Sequence, residues 1–236
     1  MHTRIKICCI QSVEEAKLAV RAGAHAVGLV SAMPSGPGVI SEEMIADLAP
    51  RLPPPVGTFL LTSETSPAAI TDHYRRFRPT ALQFVAPMEP SAYVRLRERL
   101  PGARFVPVVH VTGPASIDEA ETLAPHADAL LLDSGTPDSS PDEPRRLGGT
   151  GRTHDWAVSR EIVDRLDTPV FLAGGLDPTN VGEAIRTVRP FGVDVCSGVR
   201  TDGNLDASKL HTFIQAVHSV AGSGSEPGAK TPPETA

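Results

Sequence analysis

Short runs of apolar and β-branched residues alternate with amphipathic helical stretches along most of this 236-residue chain. Each predicted strand is followed by one predicted helix. The predicted strands are 4–10, 25–30, 56–61, 81–85, 105–111, 129–134, 170–174 and 192–197. The predicted helices lie near 12–23, 41–51, 66–77, 90–100, 115–124, 156–166, 178–188 and 206–221. Eight strand–helix pairs in roughly 220 residues predict a single (β/α)8 barrel of the TIM type.

The strand runs are almost continuously apolar, which is typical of a parallel sheet buried on both faces. An open doubly wound sheet is the alternative, but such sheets usually contain about five or six strands. Ser12, Ser41 and Asp177 precede three of the predicted helices and have side chains that can cap a helix N-terminus. The pattern therefore favours the closed barrel.

The barrel is predicted to occupy residues 1–221, followed by a tail at 222–236. The tail is rich in Gly, Pro and Ser and has no hydrophobic period, so we expect it to be disordered. The segment 135–149 is long for a loop in a compact domain and is predicted to be a lid or a binding loop.

The charge balance and the cysteine count exclude several classes of protein. With 22 Lys and Arg against 28 Asp and Glu, the net charge is −6, which argues against nucleic acid or a membrane surface as a partner. Three cysteines cannot form a disulfide framework, and neither they nor the eight histidines show metal-ligand spacing. We find no signal peptide and no apolar run of transmembrane length, and therefore expect a cytoplasmic protein without a metal.

Glycine-rich segments follow the last three predicted strands. Glycine lets backbone N–H groups approach an anion closely, and (β/α)8 barrels often bind phosphate with the loops after strands 7 and 8. Tight turns would give the same pattern for any one of the three segments alone. The candidate phosphate-binding residues are Gly149, Thr150, Gly151, Gly174, Gly175, Ser197 and Gly198.

Cys8 and Asp133 are the candidate base and acid, because both lie at the carboxyl ends of predicted strands. A thiol has an ordinary pKa near 8.5, and an apolar environment raises the pKa of a carboxyl group. Two such groups suit proton transfer in an isomerase. The alternatives stay open here: Cys8 as a small buried apolar residue, and Asp133 as a cap. His110 is either a ligand for a substrate oxygen or a core residue.

Five segments of the chain resemble motifs of the phosphoribosylanthranilate isomerase family, a (β/α)8 family of tryptophan biosynthesis. Residues 6–10 read Lys-Ile-Cys-Cys-Ile and resemble the family's Lys-Ile-Cys-Gly-Ile. Residues 132–134 read Leu-Asp-Ser, like the family's Leu-Asp-Thr/Ser. Residues 148–156 resemble Gly-Gly-Thr-Gly-Lys-x-Phe-Asp-Trp, and 172–181 and 192–199 resemble the motifs of the last two strands. The resemblance spans residues 4 to 218 and is weaker in the middle.

The resemblance implies an Amadori rearrangement of a phosphoribosyl group attached to an amine, without a cofactor. Asp133 matches the family acid that opens the sugar ring, and Cys8 matches the base that removes the proton from C2. Gly151, Gly175 and Gly198, with Ser197, match the phosphate site. Asp194 matches a family position beside the site.

Other positions depart from the family pattern. Cys9 replaces a Gly, and Gly38 replaces the loop arginine that helps to hold the anthranilate end in the family. The family's Gln-Leu-His-Gly after strand 4 is Gln-Phe-Val-Ala at 83–86, and a family Glu is Arg200 here. Arg200, Arg152 or Arg104 could take over the role of the missing arginine.

Three functions follow from these patterns. The first is phosphoribosylanthranilate isomerase, and the second is a related isomerase acting on another phosphorylated sugar. The third is a barrel that binds a phosphorylated ligand without catalysis. In each case the partner is a small phosphorylated sugar, and the chain is a monomer or a homodimer.

Overall fold

The computed structural model describes residues 2–34, 36–134 and 154–222. Eight parallel strands form a closed barrel in chain order, in which the last strand pairs with the first. The strands are β1 (Arg4–Ile7), β2 (Ala26–Val30), β3 (Gly57–Thr62), β4 (Ala81–Phe84), β5 (Arg104–Val111), β6 (Leu130–Ser134), β7 (Val170–Leu172) and β8 (Gly192–Val195). The prediction of a (β/α)8 barrel is confirmed.

One α-helix follows each strand along the chain. The helices are α1 (Val13–Ala22), α2 (Glu42–Leu48), α3 (Pro67–Phe77), α4 (Pro90–Arg99), α5 (Ala115–Leu123), α6 (Trp156–Arg165), α7 (Val181–Val188) and α8 (Ala207–Gly222). None of the helices in the described part of the chain is long and apolar enough to cross a membrane.

Side-chain alternation along the strands divides the interior into two apolar regions. Successive residues of a strand point to opposite faces. Ile5 and Ile7 of β1 therefore pack in the layer between strands and helices, as do Leu130 and Leu132 of β6. A second, smaller cluster fills the inside of the barrel and includes Leu131. The inward positions near the carboxyl ends of the strands hold the polar residues of the site.

Local capping explains where several helices begin and end. The Ser12 side chain accepts a hydrogen bond from the Glu15 N–H at 3.1 Å, and Ser41 accepts one from Met44 at 3.2 Å. Gly23 ends α1 with a φ of 106°, a left-handed conformation that favours glycine. These interactions confirm the predicted caps of α1 and α2.

The prediction that Asp177 caps a helix was wrong. Helix α7 begins later, at Val181, with Asn180 in the cap position. Asp177 instead accepts hydrogen bonds from the N–H groups of Thr179 and Asn180, which closes a turn ahead of the helix. The sequence pattern also missed a short hairpin between β8 and α8, formed by β9 (Arg200–Thr201) and β10 (Asn204–Leu205).

Two predictions concern segments outside the described residues. The predicted lid or binding loop at 135–149 lies outside them, as does nearly all of the predicted disordered tail at 222–236. The boundary between a barrel at 1–221 and a tail therefore stays a prediction.

Candidate active site

A cavity of about 690 Å³, part of it open to solvent, lies at the carboxyl ends of the strands. Enzymes with this fold bind their substrates at this end of the barrel. Its floor is apolar and includes Leu61, Val108 and Leu131. The polar groups come from β1, β4, β5, β6 and the end of β8. They are Cys8, Cys9, Gln83, His110, Asp133, Asp194, Cys196 and Ser197.

Cys8 and Asp133, the candidate base and acid, both line this cavity. The N–H of Cys8 donates to the Val195 carbonyl at 2.8 Å, which fixes the end of β1 against β8. Asp133 accepts a hydrogen bond from the Ser134 N–H at 2.8 Å and lies beside His110 in the pairing of β5 with β6. Burial raises the pKa of Asp133, although His110 and the Ser134 N–H oppose the rise. A carboxyl group in this state can hold a proton for transfer.

A buried ion pair lies below the two candidate catalytic groups. Lys6 Nζ is 2.8 Å from Asp194 Oδ2, and the Lys6 side chain has no exposed surface. Burial disfavours the charge of Lys6, but Asp194 outweighs this effect and raises the pKa of the ammonium. The ammonium also interacts electrostatically with Cys8 and Cys9 and lies 5.5 Å from the centre of the Phe59 ring. The Lys6 end of the pair therefore lies towards the thiols of Cys8 and Cys9.

Three polar atoms in the cavity have no hydrogen-bond partner among the described residues. They are Gln83 Oε1, His110 Nε2 and Asp194 Oδ1. An unpaired buried polar atom costs about 1–3 kcal/mol, so such atoms usually have a ligand or water as partner. All three belong to residues on inward positions of the barrel. Gln83 Oε1 and Asp194 Oδ1 are acceptors, so this part of the cavity is suited to a ligand with several hydroxyl groups.

The loops after β7 and β8 pack closely against each other. Gly174 and Gly175 have φ values of 81° and 64°, in the left-handed region that favours glycine. A Cβ atom on Gly198 would lie 2.0 Å from the Leu176 carbonyl oxygen, so only glycine fits there. Ser197 begins a short 3-10 helix beside this contact. The structure therefore brings together four of the predicted phosphate-binding residues.

The remaining predicted phosphate-binding residues lie outside the described part of the chain. They are Gly149, Thr150 and Gly151. The described chain resumes at His154, whose Nε2 is 2.7 Å from Ser159 Oγ at the start of α6. Burial lowers the pKa of His154 to about 4.

Two departures from the family motifs are in direct contact. Cys9, which replaces a Gly, has a φ of 60°, a conformation that is uncommon for residues other than glycine. A Cβ atom on Gly38 would lie 2.4 Å from the Cβ of Cys9. No side chain fits at residue 38 while Cys9 keeps this position. The absence of an arginine side chain at residue 38 and the presence of Cys9 are therefore sterically linked.

Two of the three candidate replacements for that arginine have other roles. Arg104 begins β5, at the opposite end of the barrel, and binds Asp128 at 2.7 Å. Arg200 has a side chain only 8% exposed and binds Glu15 through both of its terminal nitrogens, at 2.9 Å each. It also donates to the carbonyl oxygen of Cys9. The third candidate, Arg152, lies outside the described residues.

Sequence reasoning missed or undervalued three residues of the cavity region. Lys6 was read only as part of a motif, although it is an inward position of β1 two residues before Cys8. His110 is predicted either as a ligand or as a core residue, and Gln83 is predicted as a polar residue at the end of strand 4 without a role of its own. Strand alternation places all three inside the barrel and could have identified them. In the described part of the chain, no group of three or more His, Cys, Asp or Glu is arranged to hold a metal ion.

Comparison with known proteins gives a consistent result. Residues 5–216 match the family model for N-(5'-phosphoribosyl)anthranilate isomerase. A protein of that name from Haloarcula marismortui is 40% identical over 215 residues, which cover 90% of this chain and 95% of the relative. One from Methanocella arvoryzae is 36% identical over 216 residues, 91% of this chain and 98% of the relative.

Solved structures agree with the sequence matches. The phosphoribosyl anthranilate isomerase from Thermotoga maritima has a TM-score of 0.79 and 31% identity, covering 92% of this chain and 99% of its own. A structure of a phosphoribosyl anthranilate isomerase in complex with reduced 1-(o-carboxyphenylamino)-1-deoxyribulose 5-phosphate has a TM-score of 0.77 and 28% identity, covering 92% and 99%. Fold, site and sequence therefore agree that this chain belongs to the N-(5'-phosphoribosyl)anthranilate isomerase family.

Proposed function

We propose that this chain catalyses the isomerisation of N-(5-phosphoribosyl)anthranilate in tryptophan biosynthesis. The observation that carries the proposal is a single cavity containing Cys8, Asp133 and the glycine turns after β7 and β8. The family match over residues 5–216 supports the same reaction.

In the first step of the proposed mechanism Asp133 acts as a general acid. Its proton passes to the ring oxygen of the ribose as the bond from that oxygen to C1 breaks. The nitrogen lone pair forms a C1–N double bond, which gives a protonated Schiff base. Burial raises the pKa of Asp133, which favours the protonated carboxyl group that a general acid needs.

In the second step Cys8 acts as the base. The thiolate takes the proton from C2, and the electron pair of that bond forms a C1–C2 double bond while the nitrogen becomes neutral. Tautomerisation of this enol gives a ketone at C2 and a methylene at C1. Oxidation at C2 balances reduction at C1, so the proposed reaction needs no redox cofactor.

The rest of the cavity would bind and orient the substrate. Gly174, Gly175 and Gly198, with Ser197, would hold the phosphate through backbone N–H groups and the hydroxyl. Asp194 lies beside the sugar in this arrangement, with one oxygen bound to Lys6 and the other unpaired. The unpaired atoms of the cavity are suited to the sugar hydroxyl groups.

Turnover of synthetic N-(5-phosphoribosyl)anthranilate by the purified protein tests this function. The reaction is followed by loss of anthranilate fluorescence, and the product is compared by chromatography with authentic 1-(o-carboxyphenylamino)-1-deoxyribulose 5-phosphate. We expect conversion to that product. Absence of conversion, in a protein that still binds inorganic phosphate in a thermal-shift assay, would contradict the proposal.

A second candidate function is isomerisation of a phosphoribosyl amine that lacks the anthranilate carboxylate. The observation in its favour is that Gly38 replaces the loop arginine, while Arg104 and Arg200 are bound elsewhere. An assay with N-(5-phosphoribosyl)aniline distinguishes the two functions. If kcat/KM for the aniline compound exceeds that for the anthranilate compound, the second function is favoured.

The proposal includes a cytoplasmic location and a monomeric or homodimeric state. The three cysteines are free thiols in the structure, which fits a reducing compartment. One solved relative consists of monomers generated from the dimeric phosphoribosylanthranilate isomerase of Thermotoga maritima, with 29% identity to this chain and a TM-score of 0.75. Sedimentation of the purified protein would measure its state directly.

A further inference from the structure

Two thiols meet at the edge of the cavity, outside the proposed acid–base pair. Cys9 follows the end of β1, and Cys196 follows the end of β8, which is the neighbouring strand of the barrel. Their Sγ atoms are 2.7 Å apart and share a hydrogen bond. A disulfide bond is about 2.05 Å long, so the sulfurs need to approach by only about 0.7 Å.

The backbone at Cys9 explains why the two sulfurs meet. Successive residues of an extended chain point to opposite faces, so Cys8 and Cys9 would normally diverge. The left-handed φ of 60° at Cys9 breaks this alternation, and both thiols face the inner cluster. Both residues line the open cavity, where the less buried Cys196 is the one that an oxidant reaches. The family motif has Gly at residue 9, so the motif itself does not provide this pair.

The surroundings make the two thiols chemically different. Cys196 is half-buried, whereas Cys9 is buried, so Cys196 is the thiol that meets an oxidant first. The hydrogen bond between the two thiols also lowers the pKa of Cys196; burial opposes this effect, and the positive charge of Arg200 adds to it. Cys196 is therefore the nucleophile of the pair, because the thiolate is the reactive form.

We propose that Cys9 and Cys196 form a redox-active dithiol, and that a low-molecular-weight disulfide oxidises it to an intramolecular disulfide. The Cys196 thiolate first attacks the disulfide RSSR, forming a mixed disulfide and releasing RS⁻. The Cys9 sulfur then attacks Sγ of Cys196 and releases the second RS⁻, while the Cys9 proton leaves with a thiolate. In total, two protein thiols are oxidised and one RSSR is reduced to two RSH.

The disulfide would also control the active site, an effect that rests on the proposed function. Cys9 is adjacent to Cys8, the proposed base, and Cys196 is adjacent to Ser197 in the proposed phosphate site. Drawing the sulfurs together changes the positions of both neighbours. Since small misplacements of reacting groups slow catalysis strongly, we expect at least a tenfold loss of turnover that dithiothreitol restores.

Peptide mapping of the purified full chain tests the chemistry without any assay of activity. The protein is incubated with glutathione disulfide, its remaining thiols are blocked, and the digest is analysed by mass spectrometry with and without reduction. We expect a linked peptide pair containing Cys9 and Cys196. The Cys8→Ala variant should keep this link, and Cys196→Ser should lose it.

Other results would overturn the proposal in distinguishable ways. A Cys8–Cys9 link, glutathione retained on Cys8 alone, or no modification would each contradict the dithiol. A Cys9–Cys196 link in a protein whose turnover is unchanged would contradict the control of activity and leave the dithiol standing. Absence of turnover in the fully reduced protein would count against the proposed function, while the linked peptide still tests the dithiol.

Discussion

The rim of the cavity has two parts that differ in how closely they follow the family motifs. The reaction side, formed by the ends of β1, β6, β7 and β8, keeps Cys8, Asp133 and the glycine turns. The aromatic side, formed by the loop after β2 and the end of β4, lacks the loop arginine of the family. On the reaction side, close backbone contacts such as that of Gly198 with Leu176 restrict which residues fit.

Departures from the family motifs on the two sides are coupled, because Cys9 at the end of β1 meets Gly38 in the loop after β2. Cys9 occupies the space that a side chain at residue 38 would need. Arg200, which replaces a Glu, donates to the carbonyl oxygen of the same Cys9 and binds Glu15. Gly38 and Arg200, which are far apart in the sequence, therefore both lie against Cys9, the third difference. A single reverse substitution is not expected to restore the family arrangement.

The largest expected effect concerns the ion pair beneath the reaction side. Lys6→Met should lower the free energy of unfolding by about 3–5 kcal/mol, because it leaves the buried Asp194 carboxylate without its partner. Urea denaturation measures this change. The double variant Lys6→Met with Asp194→Asn should recover most of the loss, and equal instability of the single and double variants would contradict the explanation.

The next effect depends on pH and concerns His154, where the family motif has Phe. Its pKa falls from 6.5 to about 4 on folding because burial disfavours the charged ring. The unfolded chain therefore binds more protons in this window, and stability falls as the pH drops from 6.5 to 4. The shift corresponds to about 3 kcal/mol.

The variant His154→Phe should remove this pH dependence. Unfolding free energies of the two proteins at pH 7 and pH 4.5 measure the difference. A fall of equal size in both proteins would assign the acid sensitivity to other groups.

A smaller loss of stability is expected at Gly198, where the loops after β7 and β8 pack closely on the reaction side. Gly198→Ala forces a Cβ atom against the Leu176 carbonyl and should cost about 1–3 kcal/mol, with a higher KM for the phosphorylated substrate. Gly102→Ala is the matched control, because a Cβ atom there meets nothing within 4 Å. If both variants behave alike, the proposed packing of the two loops is wrong.

The smallest expected effect tests the coupling between Gly38, in the loop after β2, and Cys9, at the end of β1. Gly38→Ala should be destabilising in the native chain, where the new Cβ meets Cys9, and less so in a Cys9→Gly background. The difference should be about 1 kcal/mol, with some strain remaining because Gly38 has a φ of 77°. Thermal unfolding of the four proteins provides the double-mutant cycle, and strict additivity would contradict the coupling.

Most of the fold could be predicted from the sequence, because the spacing of hydrophobic residues along each strand and helix is a local property. Each of the eight strands and helices was placed within a few residues of its position in the structure. The β9–β10 hairpin was missed because its strands have only two residues each and no period. The start of α7 was misplaced because Asp177 and Pro178 resemble a helix start, while Asp177 bonds within the preceding turn.

The sequence could locate candidate site residues that lie at the ends of predicted strands. Cys8 and Asp133 follow from strand ends and the resemblance, and the structure places both in the cavity. The Lys6–Asp194 pair and the meeting of Cys9 with Cys196 join residues nearly 190 positions apart, so they depend on the closure of β1 against β8. The contact of Cys9 with Gly38 also requires a left-handed backbone at a cysteine, which no sequence pattern indicates.

The most direct test of the account compares turnover of N-(5-phosphoribosyl)anthranilate by the reduced native protein, Cys8→Ala and Asp133→Asn. We expect each variant to keep its thermal stability but to lose about 10²–10⁴-fold in kcat, because each removes one proton-transfer group. A folded variant that retains activity within tenfold of the native protein would contradict the assignment of base and acid to these two residues.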